Sequence, residues 1–405
     1  MTSRARLGYL VSHPIQYQAP LLRRIAREPD IDLTVLFGSD FSARGYQDKG
    51  FGVEVTWDVP LMEGYRSRVL PALRDNGTVS ATTPLSRSLL RALRTADGRP
   101  AFDALWVHGY ASLNALRGIV AAHSLGIPVL LRAESWSGDR PRAAWKLAAK
   151  QAFFHLLRPM IAAALPIGTR NAAYWRESLG PGIPQFQVPY AVDNIFFARK
   201  AAEAQPRLSS LRKELQLGPS RPVILFASKL QTRKHADHLI EAVHNLGAQS
   251  AIRPYLLLIG DGEERRNLET LASSLQLQSS TRFLGFCNQS ELPAFFALAD
   301  VFVLPSRHEP WGLIVNEAMA AGCAVVVSSD VGAAPDLVTD GVNGYTYPVG
   351  NIPALTEALA RVLQSPATTH SMGQASAQRI ASWDFEADVH GLRRALAFAT
   401  GRLRP

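Results

Sequence analysis

Two glutamates stand eight positions apart in the run Arg307-His308-Glu309-Pro310-Trp311-Gly312-Leu313-Ile314-Val315-Asn316-Glu317-Ala318-Met319-Ala320-Ala321-Gly322. The segment before it, Asp300-Val301-Phe302-Val303-Leu304-Pro305, is short, apolar and stopped by proline, which predicts a buried parallel strand ending near Ser306. From Leu313 the apolar residues recur at helical spacing through Ala318, Met319 and Ala321, and Gly322 supplies the stop. Glu309 therefore precedes the helix and Glu317 lies inside it. The backbone N–H groups around Trp311 to Leu313 leave the helix start, which makes an anion site. The competing reading is an ordinary strand–loop–helix unit with solvated glutamates.

A chain of 405 residues exceeds one core of ordinary size, so two domains of roughly 200 residues are expected. No stretch approaches about eighteen uninterrupted apolar residues, and Met1 to Arg6 lacks a signal-peptide core, which predicts a cytoplasmic protein. Cys287 and Cys323 are the only cysteines and lie in apolar segments, so both read as packing residues. The net charge of +9 is lopsided: residues 1–200 hold 25 Lys and Arg against 15 Asp and Glu, a net of +10, leaving 18 against 19, or −1, for the rest. A basic first half suits an anionic membrane, an acidic acceptor or nucleic acid, and equally a general use of arginine for solubility.

Along the chain, residues 4–11 predict the first strand, followed by the loop Ser12-His13-Pro14-Ile15-Gln16-Tyr17-Gln18 and a helix through Leu21, Leu22 and Ile25. Loops at the carboxyl ends of strands form the ligand crevice of an open α/β sheet. Further strands are expected at 31–37 and 53–59, with a helix near 85–93. Asp30-Ile31-Asp32 precedes a strand instead of following one, which argues against a metal role. Phe102 to Tyr110 predicts a strand that delivers His108 at its end. The strand from Ile127 ends in Arg132-Ala133-Glu134-Ser135-Trp136, where Glu134 reads either as a hydroxyl binder or as the partner of Arg132. The stretch Arg140 to Phe154 interleaves Arg and Lys with Trp and Phe, as in a membrane-surface helix or in a packed face with solvated charges. Residues 160–169 and 187–197 are expected to close the first domain, 200–220 to form a linker, and 222–227 to open the second.

The paired-glutamate run resembles the signature of retaining glycosyltransferases of the GT-B fold, glycosyl transferases group 1 or GT4 type, with Trp311 in the usual Phe place. Ser228-Lys229-Leu230 through Lys234 is similar to that family's two-cation element, with its glycines replaced. The resemblance is dense from Pro222 to Tyr347 and loose before Phe102. It implies an α/β protein with two facing Rossmann-like domains and a central cleft: residues 1–195 plus a C-terminal helix at about 384–405 that crosses back, and residues 196–383. A nucleotide sugar presents hydroxyls at both ends and a diphosphate between them, which carboxylates, amides and cations suit.

Carried onto this chain, the resemblance implies donor binding by Lys229, Lys234, Gly260, Gly285, Phe286, Glu309, Trp311, Gly312, Leu313 and Glu317. Glu309 would hold the sugar, Glu317 the ribose, and the two lysines the diphosphate. His108, Glu309 and Lys234 are the catalytic candidates, with front-face transfer and a nucleophilic glutamate both open. His13, Gln16, Tyr17 and Glu134 are the candidates for acceptor binding, where the family's loop glycines are missing. Neither cofactor nor metal is implied. The partners implied are a nucleotide sugar, a saccharide or lipid-linked acceptor of surface polysaccharide or glycolipid assembly, and an anionic membrane surface on its inner face. Alternatives are a nucleotide-sugar epimerase of the same architecture and, without a recognisable module, a nucleic-acid-binding protein. Glu309 and Lys234 are expected on cleft loops where substitution spares stability.

Overall fold

The computed structural model describes residues 4–48, 50–138 and 143–401, and they fall into two compact units. One holds the described residues of 1–46, 59–190 and 385–405, the other residues 47–58 and 191–384.

The first unit is built on a six-stranded sheet of β1 (Ala5–Val11), β2 (Ile31–Phe37), β3 (Arg66–Val69), β4 (Ala104–His108), β5 (Val129–Arg132) and β6 (Ala163–Ala164). The strands run parallel in the order β6-β5-β4-β1-β2-β3. Both faces are covered, which explains why β1 and β2 read as nearly unbroken apolar runs. Tyr9 and Val11 pack with Leu21, Leu22 and Ile25 of the helix Gln18–Ala26 on one face. Leu10 packs with Ile119 and Ala122 of the helix Leu113–Ser124 on the other.

The last helix, Phe385–Thr400, closes this unit. Val389, Leu392, Ala395 and Leu396 join the Tyr9 face, and Arg393 pairs with Asp30 at 2.7 and 3.0 Å. Asp30 is thus an anchor for the C-terminal helix, and Asp32 pairs with Arg66 at 3.3 Å.

The second unit repeats the plan with β7 (Val223–Ala227), β8 (Tyr255–Ile259), β9 (Thr281–Gly285), β10 (Val301–Leu304), β11 (Ala324–Ser328) and β12 (Gly344–Tyr347), all parallel in the order β9-β8-β7-β10-β11-β12. In both sheets the order reverses beside the first strand, the arrangement that leaves a ligand crevice at the strand ends. Cys323 is buried, its thiol donating to the Phe296 carbonyl at 3.0 Å.

Several expectations change. Residues 47–58 belong to the second unit, which begins again at residue 191 and runs to 384, not from 196 to 383. The segment expected as a strand at 53–59 gives only Val53–Val55, in a separate two-stranded ribbon; the sheet takes Arg66–Val69 instead, whose polar residues hide its pairing with β2. The expected linker is two helices, Asn194–Ala204 and Leu208–Glu214, integral to the second unit. The helix expected near 85–93 shrinks to Leu89–Ala92.

Gly391 lets the last helix meet the chain before it, since a Cβ there would lie 1.8 Å from the Gln187 carbonyl oxygen. Gly391→Ala is expected to lower stability by about 1–3 kcal/mol, a lower melting temperature with unchanged secondary structure in a circular-dichroism melt.

Candidate active site

At the switch point of the second sheet the loops after β7 and β10 lie side by side, tied by the Arg307 N–H donating to the Arg233 carbonyl at 2.7 Å. The first loop carries Lys234 at the end of the turn Thr232–Lys234, the second carries Glu309. Both side chains are buried, and the Lys234 ammonium donates to Glu309 Oε2. Arg233 adds a second cation 3.5 Å from the same oxygen. Burial pushes the Lys234 ammonium below its ordinary value, with Glu309 opposing. Glu309 and Lys234 are therefore a buried ion pair and not exposed loop residues. Truncating one partner would leave the other charge unpaired at about 3–5 kcal/mol, which corrects the expectation that stability is spared.

Gly312 caps the helix Leu313–Ala320 in the left-handed region, φ 93°. A Cβ there would meet Leu304 Cδ2 at 2.9 Å and Val331 Cγ1 at 3.2 Å, so the turn tolerates only glycine. Among the described residues no side chain caps the helix; the Val315 N–H turns back to the Gly312 carbonyl at 2.9 Å, which leaves those of Leu313 and Ile314 at the open helix start. Trp311, expected at the donor, is turned into the fold: it is 3% exposed, its indole N–H donates to Asn316 Oδ1 at 3.0 Å, and its ring stacks on Trp383 with centroids 5.5 Å apart.

Glu317 sits on the same helix and is buried. Burial alone pushes its carboxyl up to about 8, so it is neutral at pH 7 and presents a donor as well as an acceptor.

Sequence reasoning missed the partner of Lys229. Its ammonium is held by both oxygens of Asp48, at 2.7 and 2.9 Å, and lies 4.8 Å from the Phe51 ring centroid. Asp48 also accepts from the N–H of Gly50 and Phe51, at 2.8 and 3.0 Å. Burial raises the Asp48 carboxyl, but Lys229 and these amides outweigh it and hold it below its ordinary value. Phe51 and Trp57 pack edge-on against Phe286, centroids 5.0 and 6.1 Å away. Beside them Gly260 donates to the Gly285 carbonyl at 2.7 Å. A Cβ on Gly260 would lie 1.9 Å from the Ser228 carbonyl oxygen, so this glycine lets the ends of β7 and β8 close up. No local signal marks Asp48, which stands 181 positions from Lys229.

At the switch point of the first sheet, β4 ends on His108. Gln18 Nε2 lies 3.2 Å from His108 Nε2, and Gln18 Oε1 accepts from the Tyr9 hydroxyl at 2.7 Å. Glu134 Oε1 lies 3.8 Å from His108 Nε2 and accepts from the hydroxyls of Tyr17, at 2.9 Å, and Tyr190. Burial raises the Glu134 carboxyl, yet His108 and the two tyrosines overcome it and hold it below the usual range. It thus stays ionised with its side chain 37% open to solvent.

Arg132 is not the partner of Glu134. Its guanidinium lies 3.4 Å from Asp388 of the last helix, donates to the Pro189 carbonyl at 2.8 Å, and stacks 4.7 Å over the Tyr190 ring. His13 stacks on Phe41 and meets Ser12 Oγ at 2.8 Å, and burial, then His108, lowers it to about 4. Gln16, expected beside these residues, is half-buried in the preceding turn, and it is Gln18 that reaches His108. A cavity of about 320 Å³ opens here between His108, Ser12, Ser112 and the segment 79–81, which sequence reasoning left unassigned.

Two parallel six-stranded sheets with matching reversals make the protein one of the GT-B fold. A solved structure of Anabaena Alr3699/HepE in complex with UDP and glucose has this fold, with a TM-score of 0.69 at 17% identity over 97% of this chain and 100% of that one. Residues 209–379, most of the second unit, match the model of the family described as Glycosyl transferases group 1. The chain is 25% identical over 259 residues to the alpha-D-kanosaminyltransferase of Streptomyces kanamyceticus, 62% of this chain and 66% of that protein. It is 35% identical over 169 residues to the lipopolysaccharide core biosynthesis glycosyltransferase LpsE of Rhizobium meliloti, 42% of this chain and 46% of that one. These matches thus span less than two thirds of the relatives' own length.

Glu317 supplies a test of its environment. Its folded-state value near 8 exceeds the ordinary 4.5, so the unfolded chain ionises first as pH rises and stability falls between these values. Glu317→Gln carries no such loss. Its melting temperature should match the native protein near about pH 5 and move ahead of it by up to a few kcal/mol equivalent near about pH 8.5. A gap independent of pH in thermal melts would contradict the dry, neutral carboxyl.

Proposed function

We propose that the protein is a retaining, metal-independent glycosyltransferase of GT4 type that moves a sugar from a nucleotide-diphosphate sugar to a saccharide or lipid-linked acceptor. The observation that carries this reading is the cluster at one switch point: Lys234 paired with Glu309, Arg233 beside them, an uncapped glycine-started helix, and a neutral buried Glu317 on that helix. Lys229, Lys234 and Arg233 neutralise the diphosphate as it departs, which stabilises charge where it develops and fills the role of a divalent ion. Glu309, fixed by Lys234, holds the donor sugar, and Glu317 meets the ribose hydroxyls. Phe286 and the Gly260–Gly285 turn border the base. For Lys229 to reach phosphate, the donor takes the place of the Asp48 carboxylate, one anion for another.

The acceptor side of the proposal rests on the His108–Glu134 cluster and the adjoining cavity. Ionised Glu134, oriented by Tyr17 and Tyr190, accepts a hydrogen bond from an acceptor hydroxyl. His13, neutral at pH 7, contributes a ring nitrogen without added charge. No observation favours the epimerase or nucleic-acid readings. The test is a thermal-shift panel of UDP-, GDP- and ADP-sugars. One class should stabilise the protein by roughly 2.7 kcal/mol at a hundred times its dissociation constant, and Glu309→Gln should keep nucleotide binding while lowering kcat/KM at least about a hundredfold. Turnover unchanged in Glu309→Gln, or no shift with any nucleotide sugar, overturns the assignment.

A peripheral membrane role on the cytoplasmic face belongs to the same proposal. Among the described residues no helix is long and apolar enough to cross a membrane. The helix Ala144–Leu157 buries Phe154 and Leu157 but exposes Trp145, Leu147 and Leu156, at 69%, 47% and 71%, beside Lys146 and Lys150; Arg140 and Arg142 lie outside the described residues. Apolar tips between lysines suit the interface of an anionic bilayer. Sedimentation with anionic vesicles should be salt-sensitive, and the double variant Trp145→Ser, Leu156→Ser should stay in the supernatant with its melt unchanged.

A further inference from the structure

The turn that carries Lys234 ends on His235, which adopts a left-handed conformation at φ 50° and ψ 42° and starts the helix Ala236–Gln249. A side chain at such an angle is held there by its surroundings, and such sites cluster where function needs them. The His235 ring stacks on His238, centroids 4.1 Å apart at 15°. Among the described residues neither ring nitrogen of His235, nor Nδ1 of His238, has a hydrogen-bond partner, although all three atoms are shielded from water. Shielded polar atoms without partners are uncommon.

Asp237 stands between the rings, with Oδ1 3.7 Å from His235 Nδ1 and Oδ2 3.9 Å from His238 Nε2. One ligand atom from each residue lies within 4.8 Å of the other two. Two imidazoles and one carboxylate are the donor set of a borderline-soft cation. The hydroxyl of Tyr347 in β12 is likewise shielded and without a partner among the described residues.

We propose that His235, Asp237 and His238 form a binding site for a divalent transition metal of the Zn²⁺ class, with its remaining position open to water. Bond lengths of about 2.0–2.2 Å ask the three atoms to draw together slightly from their present spacing. Asp237, in the first turn of the helix, offsets the positive helix end that would otherwise repel a cation. The metal would staple the end of the Lys234 turn to the helix behind it. None of its three ligands is among the residues assigned above to the donor.

The experiment uses the full chain, freed of metal by a chelator and dialysed, then titrated with Zn²⁺ by calorimetry and with Co²⁺ by its visible absorption. One metal per chain is expected, with a rise in melting temperature. His235→Gly suits the left-handed backbone and should fold at least as well in chelator, while losing metal affinity by about a hundredfold, as should His238→Gln. Glu309→Gln should bind metal as the native chain does. Failure of Zn²⁺ to saturate at one per chain, unchanged affinity in folded His235→Gly, or loss of metal in Glu309→Gln would each overturn the site. None of these outcomes bears on nucleotide binding, which is read separately.

Discussion

Both units depend on one topological constraint, the reversal of strand order beside the first strand of a parallel sheet. Helices leave the two neighbouring strands toward opposite faces, so the loops at their ends part and leave a crevice with backbone groups exposed. In the second unit β7 and β10 are these neighbours, and they deliver Lys234 and Glu309. In the first unit β1 and β4 are the neighbours, and they deliver the Gln18 helix and His108. The strands themselves are sealed in apolar cores, so polar chemistry collects at their carboxyl ends.

Three carboxylates of the second unit meet different surroundings. Glu309 is buried but paired with Lys234. Glu317 is buried without such a cation and is neutral. Asp48 is ionised because Lys229 and two backbone amides hold it. A site of this kind offers a fixed anion, a neutral donor and a cation whose present anion can be exchanged, which suits a ligand carrying both hydroxyls and phosphate. Glu134 in the first unit has other partners, two tyrosines and a histidine, and its side chain is 37% exposed.

The apolar strands were legible because a strand covered on both faces has no polar alternation to obscure it; β2 and β10 fall where the residues put them. The strand-to-helix unit around Glu309 was legible for a similar reason, since proline, glycine and helical periodicity are local signals. Arg66–Val69 was not, because an edge strand with polar side chains carries no such mark. The fate of Trp311 was also hidden. Its burial depends on Trp383 and Asn316, brought to it only by folding.

By itself the amino-acid sequence determined two α/β units, the placing of Lys229, Lys234, Glu309 and Glu317 on adjoining loops and one helix, and the return of the last helix to the first unit. Only the tertiary structure decided who partners whom: Asp48 with Lys229 across 181 positions, Arg132 with Asp388 across 256, and Glu134 with Tyr17 and Tyr190. The division has a physical reason. Backbone direction and burial follow from local pattern, whereas the charge state of a buried group is set by whichever side chains the fold carries to within a few ångströms of it.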